Sequence, residues 1–191
     1  MVQNIGQKDS IMDKNKNILV TTNSQKVLNF LLDYPGKEFV EREIRKVVSI
    51  SKSGTNYALR ELVKSNFINM YKKGKMHLYS LNYENPVVKQ LKVLKMIIYI
   101  QPVLKKLESL SSKVVLFGSS SRGEDIKDSD IDLFVISNNK KEEIESQINR
   151  LKLKRKVQII VRTELGETEL KETPPIFYEQ VRQGIILWQR E

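Results

Sequence analysis

Read from the N-terminus, the apolar positions of this chain recur first at helical spacing, then at strand spacing, and then at helical spacing again. In "SQKVLNFLLDYPGKEF", Val27, Leu28, Leu31 and Leu32 form one helical stripe, which Pro35-Gly36 stops. "VEREIRKVVSI" predicts a second, short helix with Ile44, Val47 and Val48 inward. "SKSGTNYALRELVKSNF" opens with serines suited to capping a third helix, whose buried face is Ala58, Leu59, Leu62 and Val63. "FINMYKKGKMHLYSLN" alternates as a strand does, turns at Lys73-Gly74-Lys75, and alternates back through Met76, Leu78 and Tyr79–Leu81.

After Pro86 a long helical stripe runs through Val87, Val88, Leu91, Leu94, Ile97 and Ile98. Pro102 is expected to kink or restart that helix before Val103, Leu104, Leu107 and Leu110 continue an apolar face. "KVVLF" (113–117) and "IDLFVIS" (131–137) predict two strands, 140–151 a helix and "KVQIIVRT" (156–163) a third strand. The expectation is an α+β protein with a polar, mobile arm over 1–22 and a domain of three helices and a hairpin over 23–85. A helical connector over 86–112 and a small α/β domain with a mixed sheet over 113–191 follow. "KMIIYI" is more apolar than a lone connector needs, which favours burial against the neighbouring domain or in a homodimer seam through 86–112.

Charge changes this picture. The net charge is +10, yet up to Ser112 there are 19 Lys+Arg against 9 Asp+Glu, and from Lys113 onward 14 of each. All the excess lies in the first part, which suggests one domain facing a polyanion and another with a different task; a solvated lysine-rich surface is the plainer reading. There are no cysteines, so disulfides and thiolate metal sites are excluded. The first residues lack the apolar core of a signal peptide, and no segment is apolar enough for a bilayer, so a cytoplasmic protein with no membrane partner is expected.

With "LRELVKSNFI" and the "YSLNYENP" exit from the hairpin, residues 24–85 resemble the archaeal and bacterial winged helix-turn-helix DNA-binding families. The resemblance implies double-stranded DNA as partner, with the third helix in the major groove and Lys52, Ser53, Thr55, Asn56 and Arg60 facing outward. Lys72, Lys73 and Lys75 at the wing tip would meet phosphates, which position a protein without reading sequence. The alternatives are that such a domain binds protein, or that the basic half docks on RNA.

The candidate chemistry lies in "GSSSRGEDIKDSDIDLFV", residues 118–135. In an extended segment Asp130 and Asp132 point one way, while Ile131 and Leu133 point to the core. Two carboxylates so close repel unless a cation sits between them, and oxygen ligands at that spacing suit Mg²⁺ with water and phosphate completing its shell. Gly118 permits close approach of a phosphate, and Ser119 offers it a hydroxyl and an N–H. A helix beginning near Ser120 would add its dipole, and Arg122 would pair with an acidic neighbour or with the nucleotide. This stretch resembles the Gly-Ser-x-x-Arg-Gly, spacer, Ser-Asp-x-Asp-Leu pattern of the DNA polymerase beta-type nucleotidyltransferase superfamily, especially its minimal members. The resemblance covers about 113–188, closing with "FYEQVRQGIILW" as a helix and short apolar tail.

The resemblance implies one or two Mg²⁺ ions held by Asp130 and Asp132 as catalytic metal ligands. It implies an NTP whose phosphates rest on Gly118 and Ser119, with Arg122 in a nucleotide-binding or structural role. An acceptor hydroxyl attacks the α-phosphate and pyrophosphate leaves. Acceptors in the family include small molecules and proteins, among them helical toxin-like partners. The pattern breaks at one point: the third carboxylate expected on the neighbouring strand is Gln158, which is neutral and cannot take a proton near neutral pH. Glu164 is the off-motif candidate to replace it, while Asp125 and Asp128 read as solvated or turn-forming. Two readings therefore stand: a DNA-associated nucleotidyltransferase, or a DNA-binding transcriptional regulator whose transferase-like domain senses nucleotide or binds a partner. His77, the single histidine, has no nucleophile beside it, and no P-loop or GxGxxG is present.

Overall fold

The computed structural model describes residues 20–172 and 176–190, so most of the expected N-terminal arm lies outside the described residues. The chain is α+β and divides into two compact units. One holds the described residues up to Leu32 with Gly36–Asn82; the other holds Asp33–Pro35 and the described residues from Tyr83 onward.

The first unit runs α1 (Asn23–Leu32), β1 (Glu38–Val40), α2 (Glu41–Val48), α3 (Lys52–Lys64), β2 (Ile68–Lys73) and β3 (Met76–Leu81), with an antiparallel sheet in the order β1-β3-β2. Ser51 caps α3, its hydroxyl accepting from the Gly54 N–H at 3.1 Å. The two-residue turn at Gly74-Lys75 puts Gly74 at φ +61°, a conformation a leading glycine adopts at no steric cost. Val27, Leu31, Ile44, Ala58, Leu59, Leu62, Ile68 and Leu81 make the core. β1 is too short to show alternation; it forms because Glu38, Phe39 and Val40 find partners in Ser80, Tyr79 and Leu78, and Phe39 sets its ring against Phe30 at 4.9 Å.

Two inward and outward assignments in this unit are corrected. Val47 is exposed, leaving Ile44 as the one buried position of α2. Thr55, expected on the outward face of α3, is 0% exposed. It occupies the same face as Ala58, Leu59 and Leu62, and its hydroxyl donates to the Ser51 carbonyl at 2.9 Å, which makes a buried threonine tolerable.

The second unit runs α4 (Pro86–Leu107), β4 (Lys113–Phe117), α5 (Gly118–Arg122), β5 (Ile131–Ile136), α6 (Lys141–Asn149), β6 (Val157–Arg162), α7 (Glu164–Glu172), α8 (Ile176–Arg182) and β7 (Ile185–Gln189). The sheet order is β6-β5-β4-β7, with β5 and β6 parallel and the other pairs antiparallel, so the sheet is mixed. One face buries Val114, Leu116, Ile131, Leu133 and Val135 against Ile100, Val103, Leu104 and Leu107 of α4 and Ile144 and Ile148 of α6. The other buries Val115, Phe117, Phe134 and Ile136 against Tyr178 and Val181 of α8.

The helix expected as a connector is thus a core element of the second unit. It starts at Pro86 under an Asn85 cap, whose side-chain oxygen accepts from the Val87 N–H at 2.8 Å, and it continues through Pro102. Its buried stripe is also rotated from the expected one. Val87 and Leu94 are 49% and 40% exposed, and the inward positions are Val88, Lys92, Val93, Met96, Ile100, Val103, Leu104 and Leu107. A lysine holds an inward place because its ammonium is paired inside the unit, as described below. Among the described residues no helix is long and apolar enough to cross a membrane.

α4 and α5 meet at Gly123, which has φ +68° and lies against the Lys89 main chain, where an added Cβ would run into the Lys89 carbonyl oxygen. Gly74 has a similar φ with nothing within 4 Å of such a Cβ. Gly123→Ala is therefore expected to destabilise the second unit by about 2–4 kcal/mol, combining left-handed strain with overpacking. Gly74→Ala should cost the first unit only about 1 kcal/mol. Thermal unfolding of both variants checks this, and equal losses would mean that the Lys89 main chain yields freely.

Candidate active site

β4 carries the chain to Phe117, which pairs with Asp132 at the start of β5, and Asp132 pairs on its other side with Gln158 of β6. Three adjacent strands therefore bring Gly118, Asp132 and Gln158 to one end of the sheet. Ile131 and Leu133 are buried on the α4 face, so Asp130 and Asp132 project from the opposite one, each half-buried. Gly118 turns the chain at φ +70°, and a Cβ there would lie 2.7 Å from Asp132 Oδ2. Only a residue without a side chain leaves the space beside that carboxylate open.

Burial, and second the neighbouring Asp130, push the Asp132 carboxyl above its ordinary value. Asp130 is otherwise engaged: the Gln158 amide N–H donates to its Oδ2, and the Lys156 ammonium lies 3.7 Å from the same oxygen. Ser119 is half-buried and its hydroxyl makes no hydrogen bond to another described residue, whereas Ser121 donates to the Gly118 carbonyl at 2.9 Å and Ser120 is fully buried. Arg122 is exposed and turns to Glu124, with Nε–Oε2 at 2.8 Å, and this partner holds the Glu124 carboxyl below its ordinary value.

The donor set fits one divalent cation. Two adjacent carboxylates, one of them made harder to ionise by burial, with open space at Gly118, match an oxygen-ligated ion completed by water and phosphate. It does not fit two. Among the described residues no group of three or more His, Asp or Glu could hold a metal, so Glu164, at the start of α7, does not supply the missing carboxylate.

Asp125 is where the sequence reading fails most. Expected to be solvated, it is 6% exposed, with Oδ2 2.7 Å from Arg155 Nη1 and Oδ1 3.3 Å from Lys92 Nζ, the second an ion pair without hydrogen-bond alignment. Lys92 is 5% exposed and donates to the Asp125 carbonyl; burial, opposed by Asp125, lowers its pKa. The one sequence signal for this cluster was a lysine four residues from both Val88 and Met96, on what became the buried stripe.

In the first unit Lys52, Ser53 and Arg60 are exposed along α3 and Asn56 is half-buried, with Arg60 Nε donating to the Asn56 carbonyl at 3.3 Å. Tyr57, not singled out in the sequence, is exposed on the same helix. Lys72, Lys73 and Lys75 are exposed at the hairpin end. The described residues of this unit hold eleven Lys+Arg against four Asp+Glu.

A family model described as "Nucleotidyltransferase domain" matches residues 97–178, a span from the second half of α4 into α8 that includes Gly118, Asp130, Asp132 and Gln158. No curated protein matches the sequence. Among solved structures the chain is similar to TrmBL2, an archaeal chromatin protein whose structure shows a novel mode of DNA binding. The identity is 13%, over 88% of this chain and 72% of that one, at a TM-score of 0.28.

The raised Asp132 carboxyl fixes the sign of a pH effect. Ionising it in the folded unit opposes folding, so the penalty is absent in acid and sets in as pH rises from the ordinary carboxylate value through the raised one. Without divalent ions, Asp132→Asn is expected to raise the Tm of the second unit by a few degrees at neutral pH, with the gain shrinking as pH falls. Mg²⁺ should raise the wild-type Tm and leave the variant unmoved. Melting curves in EDTA and in Mg²⁺ check both, and a lower Tm for the variant in EDTA would reverse the assignment.

Proposed function

We propose that the second unit is an Mg²⁺-dependent nucleotidyltransferase that moves a nucleotide from an NTP to an acceptor hydroxyl on a small molecule or protein. The first unit, on this reading, is a winged helix that associates it with double-stranded DNA. The observation that carries the reading is the Asp130–Asp132 pair beside Gly118-Ser119, inside the span matched by the nucleotidyltransferase model. Asp130 and Asp132 would hold the Mg²⁺, which when bound would supply neutralisation of phosphate charge. The chain itself supplies the rest. The Gly118 turn leaves room for phosphate oxygens, and the unengaged Ser119 hydroxyl is available to donate to them. Lys156 adds a cation beside Asp130, and Arg122 remains a nucleotide contact only if it leaves Glu124.

The weak point of this machinery is deprotonation of the acceptor. Gln158 donates to Asp130 and has no basic site, and loss of a general base commonly costs on the order of 10²–10⁴ in rate. That observation favours a second reading, in which the unit binds MgNTP without efficient turnover and a DNA-binding regulator uses it as a sensor. On either reading, Lys52, Ser53, Asn56 and Arg60 face DNA from α3, with Tyr57 beside them, and Lys72, Lys73 and Lys75 meet phosphates.

Incubation with α-labelled NTPs, Mg²⁺ and extract of the source cells tests the chemistry. Wild type is expected to label an acceptor slowly, Asp130→Asn/Asp132→Asn not at all, and Gln158→Asp up to about 10²-fold faster. Bound NTP with no label from wild type or Gln158→Asp would select the sensor reading. For DNA, replacing Lys72, Lys73 and Lys75 by alanine should weaken duplex binding across sequences. It should also lower the slope of log K against log salt by about 1 for each phosphate no longer neutralised. A salt-independent affinity, or none, removes the DNA claim.

A further inference from the structure

We propose that Arg155, outside the site as described above, is the positioning residue that sets the Asp130 carboxylate for its divalent cation; this rests on the metal-binding reading of Asp130 and Asp132. The loop before β5 is held at both ends by this one guanidinium. Nη1 grips the buried Asp125 carboxylate at the start of the loop at 2.7 Å. Nε donates to the carbonyl of Ser129, the residue immediately before Asp130, at 2.9 Å. Between these points the loop closes on itself, the Ile126 N–H donating to Ser129 Oγ and the Ser129 N–H to the Ile126 carbonyl, both at 3.0 Å. On the other side of Asp130, the Ile131 N–H donates to the carbonyl of Lys156, next to Arg155 in the chain, at 2.9 Å.

Both peptide groups flanking Asp130 are therefore pinned by the same two-residue segment. That segment is itself anchored to α4: Tyr99 Oη accepts from the N–H groups of Lys154 and Arg155 at 3.1 and 3.2 Å. Lys92, also on α4, pairs with Asp125 from inside. The planar fork matters, because an ammonium carries its donors on a single nitrogen and cannot span a carboxylate and a carbonyl as a guanidinium does. A lysine at 155 keeps the charge near Asp125 and gives up one of the two grips.

Mn²⁺, titrated by electron paramagnetic resonance into the full-length protein well below its melting midpoint, is the probe. Wild type is expected to bind it, Asp130→Asn to lose it, and Arg155→Lys to bind at least about tenfold more weakly with its Tm largely kept. A purely structural role would move Tm and leave the affinity of the folded protein unchanged, so wild-type affinity in folded Arg155→Lys overturns the proposal. Should Arg155→Lys not fold, Tyr99→Phe decides, since it removes only the acceptor holding the segment. A several-fold weaker affinity supports the positioning role and an unchanged one overturns it. Wild-type protein that binds no Mn²⁺ brings down the carboxylate-pair reading and this one together, whereas binding abolished by Asp130→Asn but untouched in the other variants removes this one alone.

Discussion

The second unit depends on β5 being buried on both faces. Ile131, Leu133 and Val135 face α4 and α6, Phe134 and Ile136 face α8, and β4 and β6 close both edges. Such a strand has no free face on which to carry chemistry; polar groups fit only at its ends, where the flanking layers stop. Asp130 and Asp132 sit at its N-terminal end, and antiparallel pairing with β4 delivers the Gly118 turn to the same end. The hydrophobic sandwich holds the strand from which the carboxylate pair projects. It also desolvates Asp132, so the force that fixes the site is the one that opposes its charge.

This arrangement explains which features the sequence carried openly. The strands over 113–117 and 131–137 were legible because a strand covered on both sides is written as an unbroken apolar run, and Asp130 and Asp132 interrupt one such run at period two. The Gly-Ser turn and its order relative to the aspartates needed no tertiary information. α4 was legible as a helix but not in its orientation. Its apolar residues fill most of its circumference, and the true inward stripe passes through Lys92. A stripe drawn through leucines and isoleucines avoids lysine, and it takes Asp125, 33 positions away in the chain, together with the Tyr83 ring 5.1 Å from the ammonium, to make that lysine an inside residue. Asp125 escaped for the reciprocal reason, since its partners are on α4 and before β6 and its neighbours in the chain read as a polar loop. Thr55 fits the same account on a smaller scale, its hydroxyl satisfied by its own helix.

The ion cluster and the carboxylate pair form two levels of one electrostatic design. Lys92, Arg155 and Asp125 leave an excess positive charge behind the loop, and Asp130, Asp132 and Lys156 leave an excess negative charge in front of it. A buried cluster of this kind is weak evidence of stability, since well-packed apolar residues would serve as well or better. Its geometry has a more specific consequence: a guanidinium fork bridging a carboxylate and a main-chain carbonyl defines the path of a loop that is otherwise exposed at Ile126, Lys127 and Asp128.

Gln158 then reads as part of a working arrangement. A carboxylate opposite Asp132 would place three negative charges at one end of a buried strand, a mutual repulsion that raised pKa values or added cations would have to relieve. The amide removes one charge, and its N–H satisfies an oxygen of Asp130. Lys156 further offsets the pair from outside. The site is thereby closer to neutral without metal than a three-carboxylate site. On the nucleotidyltransferase reading proposed above, what it forgoes is the base that would take the acceptor's proton, and the balance of charge at this strand end would favour holding a nucleotide over fast turnover.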